Sequence, residues 1–72
     1  NNMDKVKEFA KQHGYETAEY LGIYQNKEAY EAIYSDDNEI CFVGLPAIIL
    51  KSGAELEWIQ NNLSRKILRK FY

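Results

Sequence analysis

A chain of 72 residues, 46 % hydrophobic and 28 % charged, has the make-up of one ordinary globular domain. At this length it hides only roughly 60–65 % of the surface that its unfolded form exposes. A single Cys excludes an internal disulfide, one His and one Cys exclude a zinc site built within the chain, and no apolar run approaches the roughly 18–20 residues of a membrane-spanning helix. The net charge of −2 is unevenly spread: residues 1–60 carry −6, whereas residues 61–72 carry +4 through Arg65, Lys66, Arg69 and Lys70.

In chain order, the spacing of Met3, Val6, Phe9, Ala10 and His13 predicts a helix over 3–13 with one apolar face. Asn1 or Asn2 is its N-cap, Asp4 complements the macrodipole in the first turn, and Gly14 is its left-handed stop. From Tyr15 the period changes. Residues 19–25 and 28–35 are rich in Tyr and Ile and read as a hairpin about Asn26-Lys27. That turn sets Tyr24 opposite Ala29, Ile23 opposite Tyr30 and Leu21 opposite Ala32. One face then carries Leu21, Ile23, Tyr30, Ala32 and Tyr34, the more continuous apolar surface and so the expected core face. The other carries Tyr20, Gly22, Tyr24, Ala29, Glu31 and Ile33. Ser35-Asp36-Asp37-Asn38 is a run of turn formers.

The longest apolar run, Glu39 to Lys51, is broken once by Gly44-Leu45-Pro46. Its β-branched and aromatic residues suit strands, and Pro46, which has no N–H for a sheet ladder, marks a bulge, a corner or a strand start. Residues after Ser52-Gly53 admit two readings. As a helix, Leu56, Ile59, Leu63 and Ile67 form a stripe with Ser52 and Glu55 as a capping box. As a strand, Ser52-Gly53 is a tight turn and Glu55-Leu56-Glu57-Trp58 alternates, placing Lys51 opposite Ala54, Ile49 opposite Leu56 and Ala47 opposite Trp58. The strand reading is preferred, because it turns Asn61-Asn62 from poor mid-helix residues into the N-cap of a helix over 62–71. That helix buries Leu63, Ile67, Leu68 and Phe71. The expected fold is α+β: an N-terminal helix, a four-stranded antiparallel meander and a C-terminal helix, in a single two-layer domain with both helices on one face of the sheet.

Tyr20-Leu21-Gly22 and Glu28-Ala29-Tyr30-Glu31 after a short helix, then Phe42-Val43-Gly44-Leu45-Pro46 leading into Ile48-Ile49-Leu50 and later Trp58, resemble a group of small uncharacterised bacterial proteins. The resemblance spans nearly the whole chain. It implies an α+β fold, adds weight to a strand at 54–59, and carries no activity.

Candidate chemistry is sparse. Cys41 sits in an apolar strand beside Ile40 and Phe42, surroundings that raise a thiol pKa, so it reads as a structural thiol and not as half of a Cys–His pair. His13 lies where a helix C-terminus favours it. Asp36, Asp37 and Glu39 lack the spacing and the Gly of a calcium loop. Glu28 with Glu31, and Glu55 with Glu57, read as wet positions on strands. The four Gly residues are dispersed, so no phosphate loop is present.

Two surfaces remain. Arg65, Lys66, Arg69 and Lys70 line the outer side of the last helix, where bases complement its dipole. With a pI near 5.3, attraction to nucleic acid is weak, and an acidic partner is the better match. Tyr20 and Tyr24, with Ile33, lie on the sheet face assigned away from the helices, and an apolar uncovered face implies a partner. The sequence therefore leads to the expectation of a cytoplasmic, non-enzymatic protein-interaction module with no cofactor, no metal and no membrane association. It docks a protein partner or a second copy through Tyr20, Tyr24 and Ile33. The alternative is weak nucleic-acid or acidic-partner binding through the basic helix.

Overall fold

A computed structural model describes residues 2–33 and 46–71. Along the chain these form helix α1 (Asn2–Gln12), strands β1 (Thr17–Tyr24), β2 (Lys27–Ile33), β3 (Ile48–Ser52) and β4 (Glu55–Ile59), and helix α2 (Asn62–Phe71). The strands make one antiparallel sheet in the order β1-β2-β3-β4. This is the expected α+β arrangement, and residues 55–59 are strand. Asp36, Asp37, Glu39, Cys41, the segment 40–45 and Tyr34 lie outside the described residues.

Each element ends where its chemistry dictates. At the end of α1, Gly14 sits at φ +88°, its N–H donates to the Lys11 carbonyl at 3.0 Å, and the Tyr15 N–H reaches back to Ala10 at 2.9 Å. This pair of bonds closes the last turn by the left-handed glycine route. Asn61 caps α2: its Oδ1 accepts from the Leu63 N–H at 2.8 Å, and its carbonyl accepts from the Ser64 N–H at 3.0 Å and the Ser64 hydroxyl at 2.6 Å.

The helices do not share a face. Successive residues of β3 point to opposite sides, and Ile48 and Ile49 are both fully buried. Ile49 packs with Val6, Ala10, Ala18, Tyr30, Ala32 and Ala47 beneath α1. Ile48 packs with Ala29, Leu50, Ile59 and Ile67 beneath α2, with Leu21, Tyr24, Leu68 and Phe71 at the margin. The expectation of both helices on one side is thus corrected: helix-on-sheet packing is made twice, once on each face. The physical reason lies in the composition of β3, which is apolar at every position from Ile48 to Leu50 and needs cover on both sides. Within α2, Ile67 is buried, Leu68 and Phe71 are half-buried, and Leu63, expected to be buried, is exposed.

Both hairpin turns differ from expectation by a small slip. The first turn is Gln25-Asn26, with φ +47° and +67°, the left-handed pair that matches strand twist. It pairs Tyr24 with Lys27, Ile23 with Glu28 and Gly22 with Ala29. The second turn is Gly53-Ala54, with Gly53 at φ +63°, pairing Ser52 with Glu55, Lys51 with Leu56 and Ile49 with Trp58. Both slips move the pairing by an even number of residues, so side chains near the turns keep their expected faces. A bulge at Leu21 alters this in β1: beyond it Tyr20 pairs with Tyr30, Glu19 with Glu31 and Ala18 with Ala32.

Candidate functional site

The bulge at Leu21 decides where the tyrosines point. Tyr20, on the Thr17 side of the bulge, faces the α1 side and leans on Tyr30 with ring centroids 5.3 Å apart. Tyr24, on the turn side, shares the α2 face with Lys27 and Ala29 and packs at the margin of the α2 core. Ile33, paired with Thr17, is half-buried and lies on the α2 face at the far end of the hairpin. The three residues expected to make one surface are therefore divided between two faces. One extra residue in a strand reverses the direction of every side chain past it, and no turn signal in the sequence marks this one.

A different pair comes together instead. Ile23 points to the same side as its partner Glu28, which is the side of Tyr20 and Tyr30. Tyr20 is 54 % and Ile23 52 % exposed, both far above the buried aliphatic residues of the same sheet. They flank the bulge on β1, one of the two edges of the sheet among the described residues. Beneath them, the Tyr30 hydroxyl donates to Glu28 Oε1 at 2.7 Å. Burial, that hydrogen bond and the nearby carboxylate push the Tyr30 phenol up to about 12, so it stays a proton donor through the physiological range.

On the other side of β1, the last turn of α2 holds the strand. The Lys70 ammonium donates to the Ile23 carbonyl at 3.2 Å and lies 5.4 Å from the centre of the Tyr24 ring and 5.6 Å from that of Phe71. Such contacts between a cation and aromatic faces are each worth roughly 0.5–1 kcal/mol at exposed sites. The Phe71 ring fills the space where Gly22, at φ +152°, has no side chain. Of the four bases singled out in the sequence, Lys70 is thus committed to the fold. Arg65, Lys66 and Arg69 are exposed on the outer side of α2, without an ion pair among the described residues.

His13 does not stand alone at the end of α1. Its ring lies flat on Trp58 at 4.0 Å and 6°, with Phe9 edge-on to both. Nδ1 hydrogen-bonds the Phe9 carbonyl at 3.0 Å. Trp58 Nε1 donates to Gln60 Oε1 at 3.3 Å, and Gln60 Nε2 donates to the Tyr15 hydroxyl at 3.1 Å. These contacts fasten the end of α1 to β4.

The paired carboxylates behave as strand positions. Glu55 and Glu57 are exposed, and Glu57 meets Lys27 at 3.6 Å. Glu31 faces Glu19 directly across the β1–β2 ladder, and burial first, then the Glu19 charge, raise its carboxyl above the ordinary 4.5. Among the described residues no group of three or more His, Cys, Asp or Glu converges as metal ligands would, and no helix is long and apolar enough to cross a membrane.

Sequence reasoning passed over Lys51. It is 7 % exposed, in the strand beneath α1, and its ammonium donates to the Gly53 carbonyl at 2.6 Å. Its position, two residues before the turn and on the parity of Ile49, was readable as inward-facing, and a lysine there stood out only against that parity.

Comparison with protein-family models, with curated proteins and with solved structures returned no match.

Proposed function

We propose that the protein is a non-enzymatic interaction module that docks along β1, at the edge of the sheet, through Tyr20 and Ile23. The occupant is a second copy of the chain. The observation that carries this reading is the pairing of two large, half-exposed hydrophobic side chains on one side of one edge strand. An edge strand presents unpaired N–H and C=O groups, and an antiparallel pairing of β1 with itself is self-complementary about a two-fold axis. Tyr supplies a large contact area with few rotatable bonds, which suits it to the centre of such a contact. The resemblance to small bacterial α+β proteins belongs to the same reading and adds no chemistry to it.

Sedimentation velocity across a concentration series tests the proposal. The wild type is expected to show a monomer–dimer equilibrium that the Tyr20→Ser/Ile23→Ser double variant shifts to monomer. A wild type that remains monomeric at high micromolar concentration overturns the second-copy reading and leaves a different protein as the occupant.

A second reading rests on the free face of α2. Arg65, Lys66 and Arg69 point outward without ion pairs among the described residues and suit an acidic partner, in a molecule otherwise too acidic to be drawn to nucleic acid. Association by this route weakens steeply with salt, whereas contact through Tyr20 and Ile23 does not.

A further inference from the structure

On the α1 side of the sheet, one row of side chains crosses all four strands at the turn end: Ile23, Glu28, Lys51 and Leu56. Lys51 is the odd member. The residue as a whole is 7 % exposed, its aliphatic stem packed in the sheet and its side chain at the wall of a partly open cavity. Among the described residues its one acceptor is the neutral Gly53 carbonyl at 2.6 Å. An ammonium has three N–H donors, so one bond leaves two without an acceptor among the described residues. Glu28 stands directly opposite in the ladder, yet its carboxylate accepts from the Tyr30 hydroxyl and comes within ion-pair distance of no lysine among the described residues.

Lys51 lines a partly enclosed cavity of about 350 Å³ that is bounded also by Lys5 of α1, Gly53, Ala54 and Leu56. Two lysines, one from the helix and one from the sheet, thus border a space with no carboxylate among the described residues of its lining. Asp4 and Glu8 line a second hollow, with Phe9 and Gln12, which shares Lys5 and Leu56 with this one. The volume lies at the small end of the range for small-molecule sites.

We propose that this cavity binds a small oxyanion of the phosphate type, held between the Lys51 and Lys5 ammonium groups beside the Gly53-Ala54 turn. The anion supplies a counter-charge that no described carboxylate brings within ion-pair distance of Lys51, and charge-assisted hydrogen bonds to the Lys51 donors not used by Gly53 fix it in place. Lys5, exposed at the mouth, contributes attraction and a third contact. The apolar floor made by Leu56 leaves room for a small organic group attached to the anion.

Amide shift titration of the 72-residue chain with inorganic phosphate, against sodium chloride at matched ionic strength, tests the site. Saturable shifts of Lys5, Ser52, Gly53 and Ala54 are expected with phosphate only. Lys51→Met should weaken binding about tenfold or more, as the loss of a charged hydrogen-bonding partner does. Because Lys51→Met also alters a buried position, Lys5→Glu provides the check: Lys5 is exposed, the fold is retained, and binding should be lost. Phosphate shifts no larger than those with chloride, or a phosphate titration of Lys5→Glu identical to that of the wild type, overturn the proposal.

Discussion

Gly22→Ala tests whether the bulge in β1 is held by the end of α2. A Cβ built on Gly22 overlaps the edge of the Phe71 ring, with Cδ1 at 3.1 Å and Cζ at 3.3 Å. The ring carries part of the α2 core and has to swing out, giving up some of its burial. Full truncation of a buried Phe costs about 3–5 kcal/mol, so partial displacement of a half-buried one costs about 1–2. The backbone adds its own term, because φ +152° is a conformation that side chains rarely adopt, at a cost of roughly 1–3 kcal/mol. The expected total is about 2–5 kcal/mol, against a stability of about 4–11 kcal/mol for a domain of this size. That corresponds to a fall in Tm of about 10–40 °C. Urea unfolding followed by the emission of Trp58, the single tryptophan, measures it. In a Phe71→Ala background the overlap is gone and only the backbone term remains, so a double-mutant cycle should give a coupling of about 1–2 kcal/mol. Additive costs, or a Gly22→Ala change below about 0.5 kcal/mol, refute the account, since neither fits a ring seated on that glycine.

Two further outcomes follow from the packing. Glu31 has a carboxyl raised by burial and by Glu19 across the ladder, so the folded state binds its proton more tightly than the unfolded state does. Stability from this group is fully present below the ordinary 4.5 and is lost as pH rises through the raised value. Glu31→Gln should therefore stabilise the protein near neutral pH by roughly 0.2–1 kcal/mol, the scale of a cross-strand like-charge pair, with the gain vanishing in acid; an equal gain at both pH values in urea melts rules this out. His13→Ala removes the ring stacked on Trp58 and its edge contact with Phe9, for an expected loss of about 0.5–1.5 kcal/mol and a change in Trp58 emission. Unchanged emission and stability would show that His13 does not hold α1 to β4.

Much of the fold was legible because local signals agreed. The apolar spacing of Val6 and Ala10, the stop at Gly14, and the cap at Asn61 each act within a few residues, and the structure places them as their chemistry requires. Alternation over Glu55 to Trp58 allowed a strand, and Asn61-Asn62, poor in mid-helix and good as an N-cap, together with the resemblance, tipped the choice from helix to strand. What failed was long-range or depended on a single backbone angle. The choice of Asn26-Lys27 over Gln25-Asn26 as the turn overlooked the ability of Gln25 to take a positive φ beside an Asn that takes it readily. The bulge at Leu21 leaves only Gly22 as a trace, and a lone Gly in a strand has several explanations. The helix placement was in fact written in β3, where Ile48, Ile49 and Leu50 demand cover on both sides. That demand had been read as an uncovered face, and the possibility that each helix takes one side is a tertiary fact that local periodicity does not contain.

That change moves the functional question from the sheet's face to its edges, and the two edges are unequal. On β4, Glu55 and Glu57 face solvent, Glu57 is paired with Lys27, and Trp58 is occupied by His13 and Phe9. Exposed charge is how an edge strand resists pairing with another chain. On β1, protection is confined to one end: the bulge and Lys70, whose ammonium takes the Ile23 carbonyl, close the stretch near the turn. The portion from Thr17 to Tyr20 carries one exposed charge, Glu19, but neither bulge nor ammonium among the described contacts, and Tyr20 stands at its inner limit. A free edge of about four residues, with Tyr20 at its limit and the exposed Ile23 side chain beyond the bulge, offers a few ladder hydrogen bonds and a small apolar contact, well below the area of an obligate interface. The association proposed for β1 is accordingly a reversible one, set by concentration, in which the monomer is already a folded protein because each of its two core layers has its own helix.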